Sequence, residues 1–203
     1  LDYSGIFDDL LCLFDDNRAS NKAGALYMNG LNGVVSYCNF TNNKANYSSA
    51  ISYTPDDPSF VDPTKANITH CNFINNIADV TGTVRFDSCE GNINYCNFTN
   101  NTAESAGAIY VCMKDVTIEH CNFNGNNATD GNGGAILVDN KYDGTSIRDC
   151  DFTKNHASED GGAIYLGNSK NTVSNCGFTN NTANGKGGAL YSDGDNVNIS
   201  DST

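Results

Sequence analysis

The feature that most constrains this chain is one phrase of eight residues written seven times. It reads CLFDDNRA from Cys12, CNFTNNKA from Cys38, CNFINNIA from Cys71, CNFTNNTA from Cys96, CNFNGNNA from Cys121, CDFTKNHA from Cys150 and CGFTNNTA from Cys176. Every copy satisfies C-x-F-x-x-N-x-A. A second phrase alternates with it: AGALY at Ala23, AGAIY at Ala106, GGAIL at Gly133, GGAIY at Gly161 and GGALY at Gly187, with weaker forms at Ser49 and Gly82. An aliphatic residue stands three places before the Cys at Val35, Ile68, Ile93, Ile118, Ile147 and Val173.

The Cys-to-Cys spacings are 26, 33, 25, 25, 29 and 26. A period near 25 is too short for helical-pair repeats, no 3.6-residue apolar rhythm runs through it, and the leucine-rich frame is missing. Asn, Gly and Thr form helices poorly, and each repeat offers short β-like runs separated by Asn/Gly turns. These properties predict an all-β chain, a right-handed parallel β-helix of about seven coils in a three-sided β-solenoid. Equivalent residues would stack about 4.8 Å apart, with the right-handed sense usual for parallel crossovers.

Residues two apart in a strand share a face. Cys12, Cys38, Cys71, Cys96, Cys121, Cys150 and Cys176 therefore point the same way as the following Phe, and their recurrence predicts an inward column. Asn17, Asn43, Asn76, Asn101, Asn126, Asn155 and Asn181 predict a turn ladder in which each amide bonds its own backbone and the next Asn. The aliphatic column Leu26, Ile51, Val84, Ile109, Ile136, Ile164 and Leu190 is placed inside. Its neighbours Tyr27, Ser52, Arg85, Tyr110, Leu137, Tyr165 and Tyr191 read as outward, as do Tyr37, His70, Tyr95, His120, Asp149 and Asn175 before the ladder cysteines.

Nine Cys raise the question of a disulfide framework. Seven of them occupy one column, which reads as small buried thiols packing as hydrophobes; Cys89 and Cys112, in adjacent coils, remain the one candidate pair. Catalysis of the polysaccharide lyase or hydrolase kind needs clustered carboxylates with a basic residue nearby. Arg18, Arg85 and Arg148 fall in different registers, and Asp149 and Asp151 read as a solvated pair. His70 and His120 lie two coils apart, about 10 Å, too far for one metal ion. The expectation is therefore no enzyme, no metal site and no cofactor, with room only for weak Ca²⁺ binding.

A net charge of −13 argues against nucleic acid as a partner. No apolar run is long enough to predict membrane insertion by this segment. The opening residues LDYSGIFDDLLCLFDD lack a basic n-region, and the chain stops in mid-pattern, so residues 1–203 read as a single β-helix segment of a longer surface protein. An insertion at 53–65 carries Asp56, Asp57 and Phe60 and reads as a surface loop. Eight N-x-S/T sequons, beginning at Asn39, Asn46, Asn67, Asn97, Asn100, Asn127, Asn180 and Asn198, suit an exported surface.

The alternation of GGA[IL] with FxxN resembles the repeats of polymorphic outer-membrane proteins of the chlamydial type. With the added Cys and Asn of CNFTNN, the chain from about Cys12 onward also resembles the adhesin-like proteins of methanogenic archaea. The resemblance implies a right-handed β-helical surface protein that attaches to cells or glycans. The expected function is thus a non-catalytic extracellular adhesin-like β-helix at the cell surface, its partner a cell-surface glycan or protein. The alternatives are a structural stalk or filament subunit that joins copies end to end, and a polysaccharide-active enzyme. Candidate ligand-surface residues are Tyr37, His70, Tyr95, Tyr110, Tyr165, Tyr191, Asp56, Asp57 and Phe60, since exposed aromatic rings on a rigid scaffold can stack on sugars or anchor a partner.

Overall fold

A computed structural model describes residues 12–29, 33–54, 65–112, 115–139, 144–167 and 170–203. Asp56, Asp57 and Phe60 lie outside the described residues, as does most of the 53–65 insertion. Every described strand belongs to one of four parallel sheets, each of seven strands whose hydrogen-bonded neighbours are equivalent segments one coil apart. The Phe sheet runs from Cys12–Asp15 to Gly177–Thr179, and the Ala sheet from Arg18–Lys22 to Thr182–Ala183. The Tyr sheet runs from Leu26–Met28 to Leu190–Ser192, and the aliphatic sheet from Val34–Ser36 to Asn198–Ser200. The architecture is an all-β, right-handed parallel β-helix.

Four strips replace the three sides expected from the sequence. The eight-residue phrase does not make one strand: the residue before each ladder Asn adopts a left-handed conformation, as at Asn42 (φ 56°), Asn75 (φ 55°) and Asn100 (φ 53°). That corner divides the phrase into a Phe strand and an Ala strand. Asn and Asp visit this region more readily than bulkier residues, which is why they collect there.

Phe14, Phe40, Phe73, Phe98, Phe123, Phe152 and Phe178 form one continuous stack, with centroids 4.6–5.1 Å apart and rings within 8° of parallel. Ile51, Val84, Ile109, Ile136 and Ile164 line the opposite side of the core, and Ile68, Ile93, Ile118, Ile147 and Val173 a third. The ladder cysteines from Cys38 to Cys176 are buried as expected, whereas Cys12 on the first described coil is exposed. Each buried thiol donates to the carbonyl two residues back, for example Cys96 Sγ to Asn94 O at 3.2 Å and Cys150 Sγ to Arg148 O at 3.1 Å.

The buried Asn ladder is saturated. Asn76 Nδ2 donates to Asn101 Oδ1 (2.9 Å) and to Phe40 O (2.9 Å), while its Oδ1 accepts from Asn43 Nδ2 and Asn43 N, both at 3.0 Å. The backbone partners belong to adjacent coils, not to the residue's own turn as the sequence suggested. Both amide protons and both lone pairs are thereby used at full burial, so the column clamps successive coils to one another.

Candidate functional site

The outward residues named from the sequence fall into two strips, separated by the aliphatic sheet. The first stands at the corner just before the Phe sheet. Tyr37, His70, Tyr95 and His120 stack in order, with ring centroids 4.7, 5.0 and 4.9 Å apart. All four adopt left-handed backbone conformations, φ 52–53°, which costs an ordinary side chain about 1–2 kcal/mol. The rings are exposed, Tyr37 to 56% and Tyr95 to 52%. Their faces nevertheless lie against one another, so the strip offers solvent mainly ring edges.

The second strip lies on the outer face of the Tyr sheet, where Tyr27, Ser52, Arg85, Tyr110, Leu137, Tyr165 and Tyr191 stand in register. Two members depart from the outward reading: Ser52 is fully buried and Leu137 is 8% exposed. The tyrosines are tied down through the residue two places along the same face in the next coil. Tyr165 Oη donates to Asp193 Oδ2 at 2.7 Å, Tyr110 Oη reaches Asp139 Oδ2 at 3.5 Å, and Tyr27 Oη donates to the Thr54 carbonyl at 3.3 Å. Burial and the facing Asp193 carboxylate hold the Tyr165 hydroxyl above the ordinary phenol range, and burial does the same for Tyr110.

Cations already sit on three of these rings. The Arg85 guanidinium lies 4.8 Å from the Tyr110 centroid and is held there by Asp87 Oδ2 (2.8 Å) and Thr81 Oγ1 (2.9 Å). Lys22 Nζ stands 5.4 Å over Tyr27 and Lys186 Nζ 5.6 Å over Tyr191. Asp87, Asp139 and Asp193 were not singled out from the sequence. The signal is present in the sequence, because they stand two residues after the Tyr column and so share its face, but they fall just beyond the end of the repeated phrases.

Cys89 and Cys112 do not form the pair that sequence allowed; both are free thiols. Cys89 faces inward and donates to Tyr53 O, and burial pushes it up to about 12. Cys112 lies half-buried on the Tyr sheet, where burial and the nearby Asp87 raise it. Among the described residues no cluster of three or more His, Cys, Asp or Glu has the geometry to hold a metal ion, and no helix is long and apolar enough to cross a membrane. A further ladder was not anticipated: on the outside of the Phe sheet, Asn72, Asn97 and Asn122 each donate to the Asn one coil before, at 2.8–2.9 Å, beginning at Asn39.

No protein of described function and no solved structure matches the chain significantly. A family match covers residues 60–203, seven in ten of the sequence and every coil after the insertion. With parallel sheets, coil-to-coil register and stacked interior columns in place, the chain belongs to the right-handed β-helix region family.

Proposed function

We propose that this protein is a non-catalytic, extracellular adhesin-like rod that presents the outer face of the Tyr sheet to glycan or protein on a cell surface. The observation that carries this reading is the tethering of Tyr27, Tyr110 and Tyr165 through their hydroxyls to the next coil. Rings fixed in advance lose little rotamer freedom when a ligand stacks on them, so more of the contact energy appears as affinity. The carboxylates of Asp87, Asp139 and Asp193 on the same face supply acceptors for ligand hydroxyl or amino groups. The corner rings Tyr37, His70, Tyr95 and His120 have their faces occupied by one another and serve the rod.

That self-stacked corner, together with two Asn ladders directed along the axis, also favours a second reading as a structural stalk. Binding of the labelled protein to a glycan array and to whole cells separates the two. The adhesive reading expects saturable binding that the triple change of Tyr110, Tyr165 and Tyr191 to Ala reduces by about tenfold or more, the scale of a lost aromatic anchor. Changing Tyr37 and Tyr95 to Ala is expected to leave binding intact. A folded protein that binds nothing would move the assignment to the stalk, and a loss confined to the corner variants would move the binding surface from the Tyr sheet to the corner strip.

A further inference from the structure

The coils distribute the eight N-x-S/T asparagines unevenly. Asn39 and Asn97 lie in strands of the Phe sheet, Asn46 and Asn127 in the Ala sheet, and Asn67 and Asn198 in the aliphatic sheet. Asn100 and Asn180 stand at the corner between the Phe and Ala sheets, each in the same phrase FTNNTA. No described strand of the Tyr sheet contains a sequon. The amides are not equally available. Asn97 sits in the middle of the outer ladder, its Nδ2 donating to Asn72 Oδ1 and its Oδ1 accepting from Asn122 Nδ2, both at 2.9 Å. The Asn127 Oδ1 is buried. Asn39 and Asn67 are half-buried, and their carbonyls accept from Asn72 and Asn92 one coil on. Asn46 is half-buried as well, and Asn198, though exposed, lies within a strand.

The corner pair differs from all of these. Asn100 and Asn180 are exposed, at φ 53° and 54°, and among the described residues neither side-chain amide has a hydrogen-bond partner. The next position of the corner column after Asn100 is Gly125, and a Cβ built there would meet Asn100 alone, its Oδ1 at 2.5 Å. The amide therefore turns its oxygen along the axis over a residue without a side chain, which leaves Nδ2 on the open side. We infer that Asn100 and Asn180 are N-glycan attachment sites. They give the rod one sugar-bearing edge, with the two chains three coils or roughly 15 Å apart, and leave the Tyr sheet bare. In the transfer, Nδ2 forms a bond to the anomeric carbon of an oligosaccharide carried on a lipid phosphate. The bond from that carbon to the phosphate oxygen breaks, the phosphate leaves with the electron pair, and Nδ2 gives up one proton. The adjoining ladder residues Asn101 and Asn181 keep every bond they make, whereas a sugar on Asn97 Nδ2 would intrude on its bond to Asn72. A bulky, hydrated substituent suits a solvent-facing corner. This inference rests on the extracellular reading and adds a covalent modification to it.

The test is glycopeptide mass spectrometry on the protein isolated from its own cells, read before and after enzymatic release of N-linked glycans, which turns each attachment Asn into Asp. Glycan is expected on Asn100 and Asn180 and not on Asn97 or Asn127. Asn100→Gln and Asn180→Gln, expressed in the same cells, should each remove the mass of one glycan while cooperative thermal unfolding persists. Release of the glycans from the intact protein should leave its binding to cells and to the glycan array unchanged, because the Tyr sheet carries none. Unmodified Asn100 and Asn180, or glycan on Asn97 and Asn127 in their place, would overturn the inference. Loss of binding on glycan release would overturn the bare Tyr face. The array experiment reads the protein in either glycosylation state, so failure of the attachment sites leaves the adhesive reading to be decided there.

Discussion

Tyr95 and Asn101 stand at two corners of the same coil and answer to different physics. Asn101 is fully buried; its Nδ2 donates to Asn126 Oδ1 and Phe73 O, and its Oδ1 accepts from Asn76 N and Nδ2. Replacing it with Ala strands buried groups on two neighbouring coils at about 1–3 kcal/mol each, so Asn101→Ala should cost at least about 3 kcal/mol in urea unfolding. Tyr95 loses two ring contacts if changed to Asn, each worth about 0.5–1.5 kcal/mol, but Asn is better suited to its left-handed backbone. Tyr95→Asn should therefore change stability by no more than about 1 kcal/mol. A large loss would show that the exposed corner stack, and not only the buried ladder, holds the coils in register.

At the scale of the sheet, a side chain's neighbours are chiefly its own copies one coil away. That is why the Cys, Phe, Asn and Ile columns were legible as simple recurrence, and with them the inside and outside of each strand. Two things were not. The split of the phrase into two strands depends on a backbone angle at Asn42 and its equivalents, which a three-sided count of β-like runs passed over. The bonds from Tyr110 to Asp139 and from Tyr165 to Asp193 join different positions of adjacent coils, and a reading along single columns cannot see diagonal contacts. The cysteine column makes the burial argument measurable. Under native conditions, iodoacetamide should label exposed Cys12 first, half-buried Cys112 more slowly because its thiol is raised, and leave the other seven cysteines protected, since only those two thiols are not buried. Rapid labelling of Cys96 or Cys121, read by peptide mass spectrometry, would contradict a closed core.

For the molecule as a whole, the buried acids set a limit on alkaline stability. Burial raises Cys89 from an ordinary 9.0 to about 12, and burial likewise raises Tyr53, Tyr110 and Tyr165 above 10. A group whose folded value lies above its unfolded value stabilises the fold fully below the unfolded value. That contribution is lost as pH climbs toward the folded one. Stability should accordingly be flat in this respect up to about pH 9 and fall between pH 9 and 12, followed by thermal unfolding across that range. Changing Cys89 to Ala should flatten part of the fall even if it lowers stability at neutral pH. A slope that ignored the substitution would place the sensitivity elsewhere.

The direction of the hydrogen bonds carries a mechanical corollary. Backbone ladders, both Asn columns and the phenylalanine stack all join one coil to the next, so tension applied to the two ends of the chain peels the rod as a zip is opened, one turn at a time. Load applied across the rod instead meets many turns at once. A molecule built this way withstands sideways drag far better than a pull on its tail, and yields in steps of about one repeat instead of snapping whole.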